Sequence, residues 1–214
     1  GLAIAAQVMR MFSAVYRYAR RVNLDLPPCP TEVVDVVLSK PRDWALSDDQ
    51  LKDWWRAVSR LNPLKRTFWL VLLYTGARRG SVEALRWADV DFEQGVIAFS
   101  VAKAGRTYAV PMSRRLKEIL LEWRSQVSPD EEWVFPSPRR PGQHITAARD
   151  EKRGVTSAHH LRHTYRTVLA RLGCPPDTAR ALLGHSFSGD VSRGYITLNL
   201  LLDALRPWAE AVAE

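Results

Sequence analysis

The stretch Pro63-Leu64-Lys65-Arg66-Thr67-Phe68-Trp69-Leu70-Val71-Leu72-Leu73-Tyr74-Thr75-Gly76-Ala77-Arg78 decides the fold. Pro63 suits the first turn of a helix, where its missing N–H would have had no partner anyway. From Phe68 to Tyr74 the residues are apolar nearly all round, the mark of a helix buried on every side. Gly76 breaks it, and a cation, Arg78, follows at once. The reading is a central buried helix with charge at its exit.

Upstream, residues 2 to 22 read as a helix, with Ile4, Val8, Met11, Val15 and Tyr18 at spacings of three and four and Arg17, Arg20 and Arg21 near its end. Leu26-Pro27-Pro28-Cys29-Pro30 stops it and opens a linker to about Asp43. Ser47 then starts a helix to about Leu61, with Asp48 and Asp49 where the helix dipole favours acids. Downstream, a short helix resumes from Ser81 to Arg86. From Ala88 to Met112 the period becomes two, with turns at Glu93-Gln94-Gly95 and Ala104-Gly105-Arg106, so two or three antiparallel strands are expected. Ser113 caps a helix through Val127, Pro129 to Gly142 is loop, and a helix from Ala158 to Leu172 ends at Gly173. Pro175 opens another helix to Leu183, and Leu200 to Val212 makes the last. The fold class is mainly α with a small antiparallel β-sheet (α+β).

The chain has 214 residues, 46% hydrophobic and 25% charged, which is ordinary for a globular protein able to bury on the order of 70% of its unfolded surface. Cys29 and Cys174 form neither a disulfide framework nor a metal-ligand spacing, which suggests a reducing, cytoplasmic compartment. The longest apolar run, Phe68 to Tyr74, is far short of the roughly 20 residues that cross a bilayer, so no membrane partner is expected. The net charge is +8, carried by 25 Arg and six Lys. That bias favours the forked cation that binds phosphate bidentately, although basic surfaces also serve solubility. Between Arg139 and Arg171 eight basic residues face two acids, so this tract holds six of the eight net charges.

That tract contains His159-His160-Leu161-Arg162-His163. His159 and Arg162, three apart, share a helix face and can meet one phosphate, though a solvated basic helix start explains the spacing as well. Leu183-Gly184-His185-Ser186 follows, with Tyr195 ten residues after His185. A lone Tyr is usually a packing residue, because a phenol needs an activating base or cation to act as a nucleophile. Arg78 after Thr75-Gly76-Ala77, and Lys103 in Lys103-Ala104-Gly105-Arg106, supply cations.

In this order and spacing the set resembles the catalytic domain of tyrosine recombinases, the phage integrase family. The pattern is T-G-x-R, a hairpin Lys, H-x-x-R, then G-H and the Tyr, falling on Arg78, Lys103, His159, Arg162, His185 and Tyr195. Leu85-Arg86-Trp87-Ala88-Asp89-Val90-Asp91, Val110-Pro111-Met112 and Leu161-Arg162-His163-Thr164 match the flanks, and the resemblance runs from about Trp44 to Leu205. One departure stands out: the family usually places Glu three residues after its first Arg, and here that position is Ser81. Glu83, two further on, points elsewhere on a helix.

The resemblance implies a site-specific DNA recombinase that cleaves and rejoins through a 3′-phosphotyrosine, needing no metal, ATP or cofactor. Arg78, Arg162 and His185 would stabilise the charge on phosphorus, Tyr195 attack, His159 accept its proton and Lys103 donate to the departing 5′-oxygen. Arg79, Arg86, Arg106, Arg139, Arg140, Arg149, Lys152 and Arg153 would contact DNA, Arg86 alternatively serving as an ion-pair partner. The partner would be double-stranded DNA carrying a recombination site, bound by a homotetramer that is monomeric when free, with room for an accessory DNA-bending protein. A cytoplasmic, nucleoid-associated location follows. Residues 1–27 would be the last helix of an amino-terminal core-binding domain, 28–43 a linker and 44–214 the catalytic domain. Two alternatives share the residues: a non-catalytic DNA-binding relative, suggested by Ser81, and a type IB topoisomerase-like nicking-closing enzyme. A metal-dependent nuclease lacks support because no carboxylates cluster.

Overall fold

A computed structural model describes residues 2–34, 44–101, 106–146, 150–184 and 198–214. The chain divides into two compact units, Gly1–Asp43 and Trp44–Glu214. The first holds α1 (Leu2–Val22) and a 3-10 turn, Pro30–Val33. Tyr16 donates to the Pro27 carbonyl at 3.1 Å and Ser13 meets the Thr31 hydroxyl, which folds the Pro-rich stretch back along its helix. Cys29 is buried there, whereas the helix's periodic residues Ile4, Val8, Met11, Val15 and Tyr18 are exposed.

The second unit is built around α3 (Pro63–Thr75), whose Phe68, Val71 and Leu72 are wholly buried. Asn62 caps it by accepting from the Lys65 N–H at 2.9 Å, and Gly76 ends it in the left-handed region at φ 59°. Packed against it are α2 (Asp48–Ser59), through Trp54 and Val58, and α5 (Arg114–Arg124), through Leu116 and Leu120. Burying each such side chain contributes about 1.5–3 kcal/mol, which explains why the central helix organises the unit. Ser47 and Gln50 form a capping box at the start of α2, as the sequence led us to expect of Ser47.

The sheet has three antiparallel strands in sequence order, β1 (Val90–Asp91), β2 (Val96–Val101) and β3 (Arg106–Pro111). Ile97 pairs with Val110 and Phe99 with Tyr108, and Ile97, Phe99 and Val110 enter the core. A second cluster joins α6 (Ala158–Arg171), α7 (Pro176–Leu182) and α8 (Leu198–Ala213) through Tyr165, Leu169, Leu182, Leu183 and Leu205. Asp150, only 4% exposed, accepts from Lys65 and, at 3.0 Å, from the Trp69 indole, pinning the approach to α6 onto α3.

Several helix ends differ by a few residues from the sequence reading, and three of the differences have a visible cause. The short helix α4 spans Arg79–Glu83 rather than 81–86, because Leu85 and Arg86 leave it to bridge Val134 and Trp133. The helix after Ser113 stops at Arg124, whose guanidinium turns to the Ser128 and Pro129 carbonyls. The last helix begins at Leu198 and continues past Pro207 to Ala213, packing on its own chain. Leu202, Leu205 and Ala209 are buried, Arg206 donates to the Gln94 carbonyl at 2.6 Å, and Glu210 accepts from the Arg114 N–H at 2.9 Å.

Candidate active site

The α3–α4 turn is rigid for local reasons. The Thr75 hydroxyl donates to the Val71 carbonyl and accepts from the Ala77 N–H, and Gly76 lies so close to Tyr165 that a Cβ there would fall 2.6 Å from the ring. The turn delivers Arg78, extended and exposed, as the N-cap of α4. Arg162, in the second turn of α6, reaches across to this turn. Its two terminal nitrogens donate to the carbonyls of Gly76 at 2.7 Å and Leu183 at 2.8 Å, tying the end of α3 to the end of α7.

Within electrostatic reach of the two guanidiniums lies Tyr108 of β3. Its hydroxyl is buried beside the Arg162 guanidinium, although no hydrogen bond of good geometry joins it to a described residue. Burial raises its pKa, while the nearby Arg162 and Arg78 cations pull the other way. Burial, then Arg78, lowers the pKa of Arg162, against which Tyr108 acts. Gly184, at φ 61°, lies on the Tyr108 ring, where a Cβ would fall 2.5 Å from Cζ. Glycine is required there by both conformation and space.

His159 opens the same face of α6. Its ring meets Trp44 edge-on at 5.5 Å and His163 at 4.5 Å. The next residue, His160, is occupied by hydroxyls: Thr156 and Ser157 lie 2.9 and 3.0 Å from its Nδ1. Burial and then His159 lower its pKa.

Of the residues singled out in the sequence, Arg78 and Arg162 are brought within electrostatic reach of each other, with His159 one helical turn from Arg162. Lys103, Arg149, His185 and Tyr195 lie outside the described residues, and only the backbone of Arg106 is described. Arg79 pairs at 3.3 Å with Glu83, which is buried, and Arg86 pairs at 2.6 Å with Glu132 while covering the Trp133 ring. Arg139, Arg140, Lys152 and Arg153 are exposed on turns. Ser81 donates to the Ser100 carbonyl at 2.9 Å, tying α4 to β2 with a neutral group. Among the described residues no His, Cys, Asp and Glu side chains cluster as metal ligands. Sequence reasoning passed over Tyr108, which it read only as a strand residue, and the carbonyls of Gly76 and Leu183. Pairing across the sheet placed Tyr108 near the site, and no local motif marks it.

Residues 45–200 match the model of the phage integrase family. The chain belongs to that family. Similar to this integrase-family chain are the prophage integrase IntF of Escherichia coli, 31% identical over 192 residues, and the integrase of Shigella phage Sf6, 29% identical over 168 residues. The alignments cover 85% and 67% of this chain, and the chain spans about 40% of each relative's length. Among solved structures, a lambda integrase(75-356) dimer bound to a COC′ core site superposes with a TM-score of 0.67 at 21% identity, covering 87% of this chain and 73% of that one. XerA recombinase gives 0.56 at 24%, covering 84% and 65%. These likenesses establish the recombinase catalytic fold for the integrase-family unit beginning at Trp44.

Proposed function

We propose that this chain is the catalytic part of a site-specific DNA recombinase working through a 3′-phosphotyrosine. The observation that carries the reading is that Arg78, at the exit of α3, lies within electrostatic reach of Arg162 on α6, with Arg162 held by the Gly76 and Leu183 carbonyls. Two guanidiniums would stabilise the charge that grows on the non-bridging oxygens of a phosphodiester under attack, Arg162 being already held in place by its two carbonyls. The Tyr195 oxygen bonds to phosphorus, its proton passes to His159, the bond to the 5′-oxygen breaks, and Lys103 protonates that oxygen. His185 adds a further donor. A 5′-hydroxyl from another strand reverses the step without ATP.

Double-stranded DNA is the proposed partner, as in the titles of the lambda integrase complexes, one of which describes a tetramer bound to a Holliday junction. By the same reading the chain assembles as a homotetramer on its site in the cytoplasm, at the nucleoid. Exposed Arg139, Arg140, Lys152 and Arg153 would hold the phosphate backbone, with Arg106 and Arg149 alongside. Arg79 and Arg86 would do so with guanidiniums already oriented by Glu83 and Glu132. The unit Gly1–Asp43 would supply the last helix of a core-binding domain and the linker.

The test is a pooled library of nicked duplexes incubated with the full chain, with protein-linked DNA read on denaturing gels. An adduct is expected from the wild type and none from Tyr195→Phe. The same adduct from Tyr195→Phe overturns the mechanism.

A further inference from the structure

This inference rests on the recombinase reading and concerns the proton released by the attack. His159 and His163 lie one turn apart on α6, with their Nε2 atoms 3.1 Å apart and their rings at 76°. Two imidazole nitrogens at that distance share one proton: one ring donates its N–H and the other presents a lone pair. The neighbours separate these rings from the third histidine of the motif. His160 is turned to the Thr156 and Ser157 hydroxyls and lies 4.9 Å from Trp44, whereas His159 sits between Trp44 and His163.

We propose that His163 is a positioning residue for His159, accepting its Nε2–H and so leaving Nδ1 as the lone pair that takes the nucleophile's proton. A neutral imidazole carries a single N–H. Once that N–H is committed to His163 at Nε2, the basic nitrogen of His159 can only be Nδ1. When Nδ1 takes the phenolic proton, His159 becomes an imidazolium and its existing bond to His163 becomes charge-assisted, with no second proton moving. The logic is that of the acceptor behind a catalytic histidine, which fixes the tautomer and stabilises the cation.

The surroundings explain why a neutral imidazole takes this place. A carboxylate there would offset Arg162, the cation proposed to meet phosphate, and its neighbour Arg166. The acceptor must be a neutral ring, and burial, followed by His159, Arg166, His160 and Arg162, lowers the pKa of His163 from the ordinary 6.5 and so favours that form. In the proposed arrangement the single N–H of His163 sits at Nδ1, which leaves its Nε2 lone pair to accept.

The experiment uses the full chain labelled with 15N, and long-range 1H–15N correlations of the imidazoles at about pH 7.5 in wild type, His163→Leu and His163→Gln. His159 is expected as the Nε2–H tautomer in the wild type and in His163→Gln, whose amide oxygen accepts, and as a mixture in His163→Leu. Adduct formation on the nicked library should fall roughly 10- to 100-fold in His163→Leu and recover in His163→Gln. An Nδ1–H tautomer for His159 in the wild type, or a tautomer unchanged by His163→Leu, overturns the proposal. The expected tautomers without any adduct would uphold the positioning and remove the recombinase reading instead.

Discussion

The Arg162 guanidinium donates to the Gly76 carbonyl at 2.7 Å, joining residues 86 positions apart in the chain. With the second bond to Leu183 it uses two arms of the fork to hold the site's walls together. Lysine carries its three N–H donors on one nitrogen and lacks the fork that spans both carbonyls. Arg162→Lys should destabilise the chain by about 2–3 kcal/mol, the size of one or two charge-assisted bonds, and abolish adduct formation. Denaturant melts and the nicked library read the two effects separately.

Gly184 lies against Tyr108 with a positive φ. Gly184→Ala should cost about 2–4 kcal/mol, from left-handed strain together with overpacking. In Tyr108→Ala the clash disappears and only the strain remains, so the double variant should lose less than the sum of the single losses. Additive losses in denaturant melts would contradict the contact.

The Tyr108 hydroxyl is buried near the Arg162 guanidinium but makes no hydrogen bond of good geometry among the described residues, so removing it sacrifices little. Tyr108→Phe should leave stability within about 0.5 kcal/mol of wild type. A high-pH ultraviolet titration should lose one tyrosine ionising above the ordinary value of 10, as burial raises that pKa.

Asp150 is the buried member of a pair with Lys65, whose side chain is 34% exposed, and it also accepts from Trp69. Breaking a fully buried pair costs 3–5 kcal/mol; with Lys65 able to reach water, Asp150→Ala should cost roughly 2–3 kcal/mol. A shift in the thermal midpoint with retained helicity checks it.

His160 and His163 both have pKa values lowered from 6.5, chiefly by burial. The unfolded chain therefore binds more protons than the folded one just below that value. Stability is fully present above about pH 6.5 and declines as pH falls through the folded values. Denaturant midpoints measured from pH 7.5 to 5.5 should fall, and fall less in His163→Gln. An equal decline in both proteins would show that His163 does not contribute.

The sequence by itself determined the elements, because their signals lie within a few residues of one another. Pro63, Ser47 and Ser113 start helices through hydrogen bonds to N–H groups nearby, or through the lack of one, and Gly76 ends a helix through its own φ. The alternation in β2 and β3 likewise fixed which residues face inward. The sequence also named Arg78, from its place just after the helix-ending Gly76, and His159 with Arg162, since side chains three apart share a helix face wherever the helix lies.

Only the tertiary structure decided what those candidates touch. Arg162 meets carbonyls 86 and 21 residues away, Tyr108 comes near it from a strand, and Asp150 reaches back to Lys65 and Trp69 on the central helix. The last helix, whose apolar stripe fits its own chain or a neighbour equally well in sequence, packs here on its own core. Such choices depend on chain closure over long separations and on which surfaces remain to be buried. Local propensity carries no information about either.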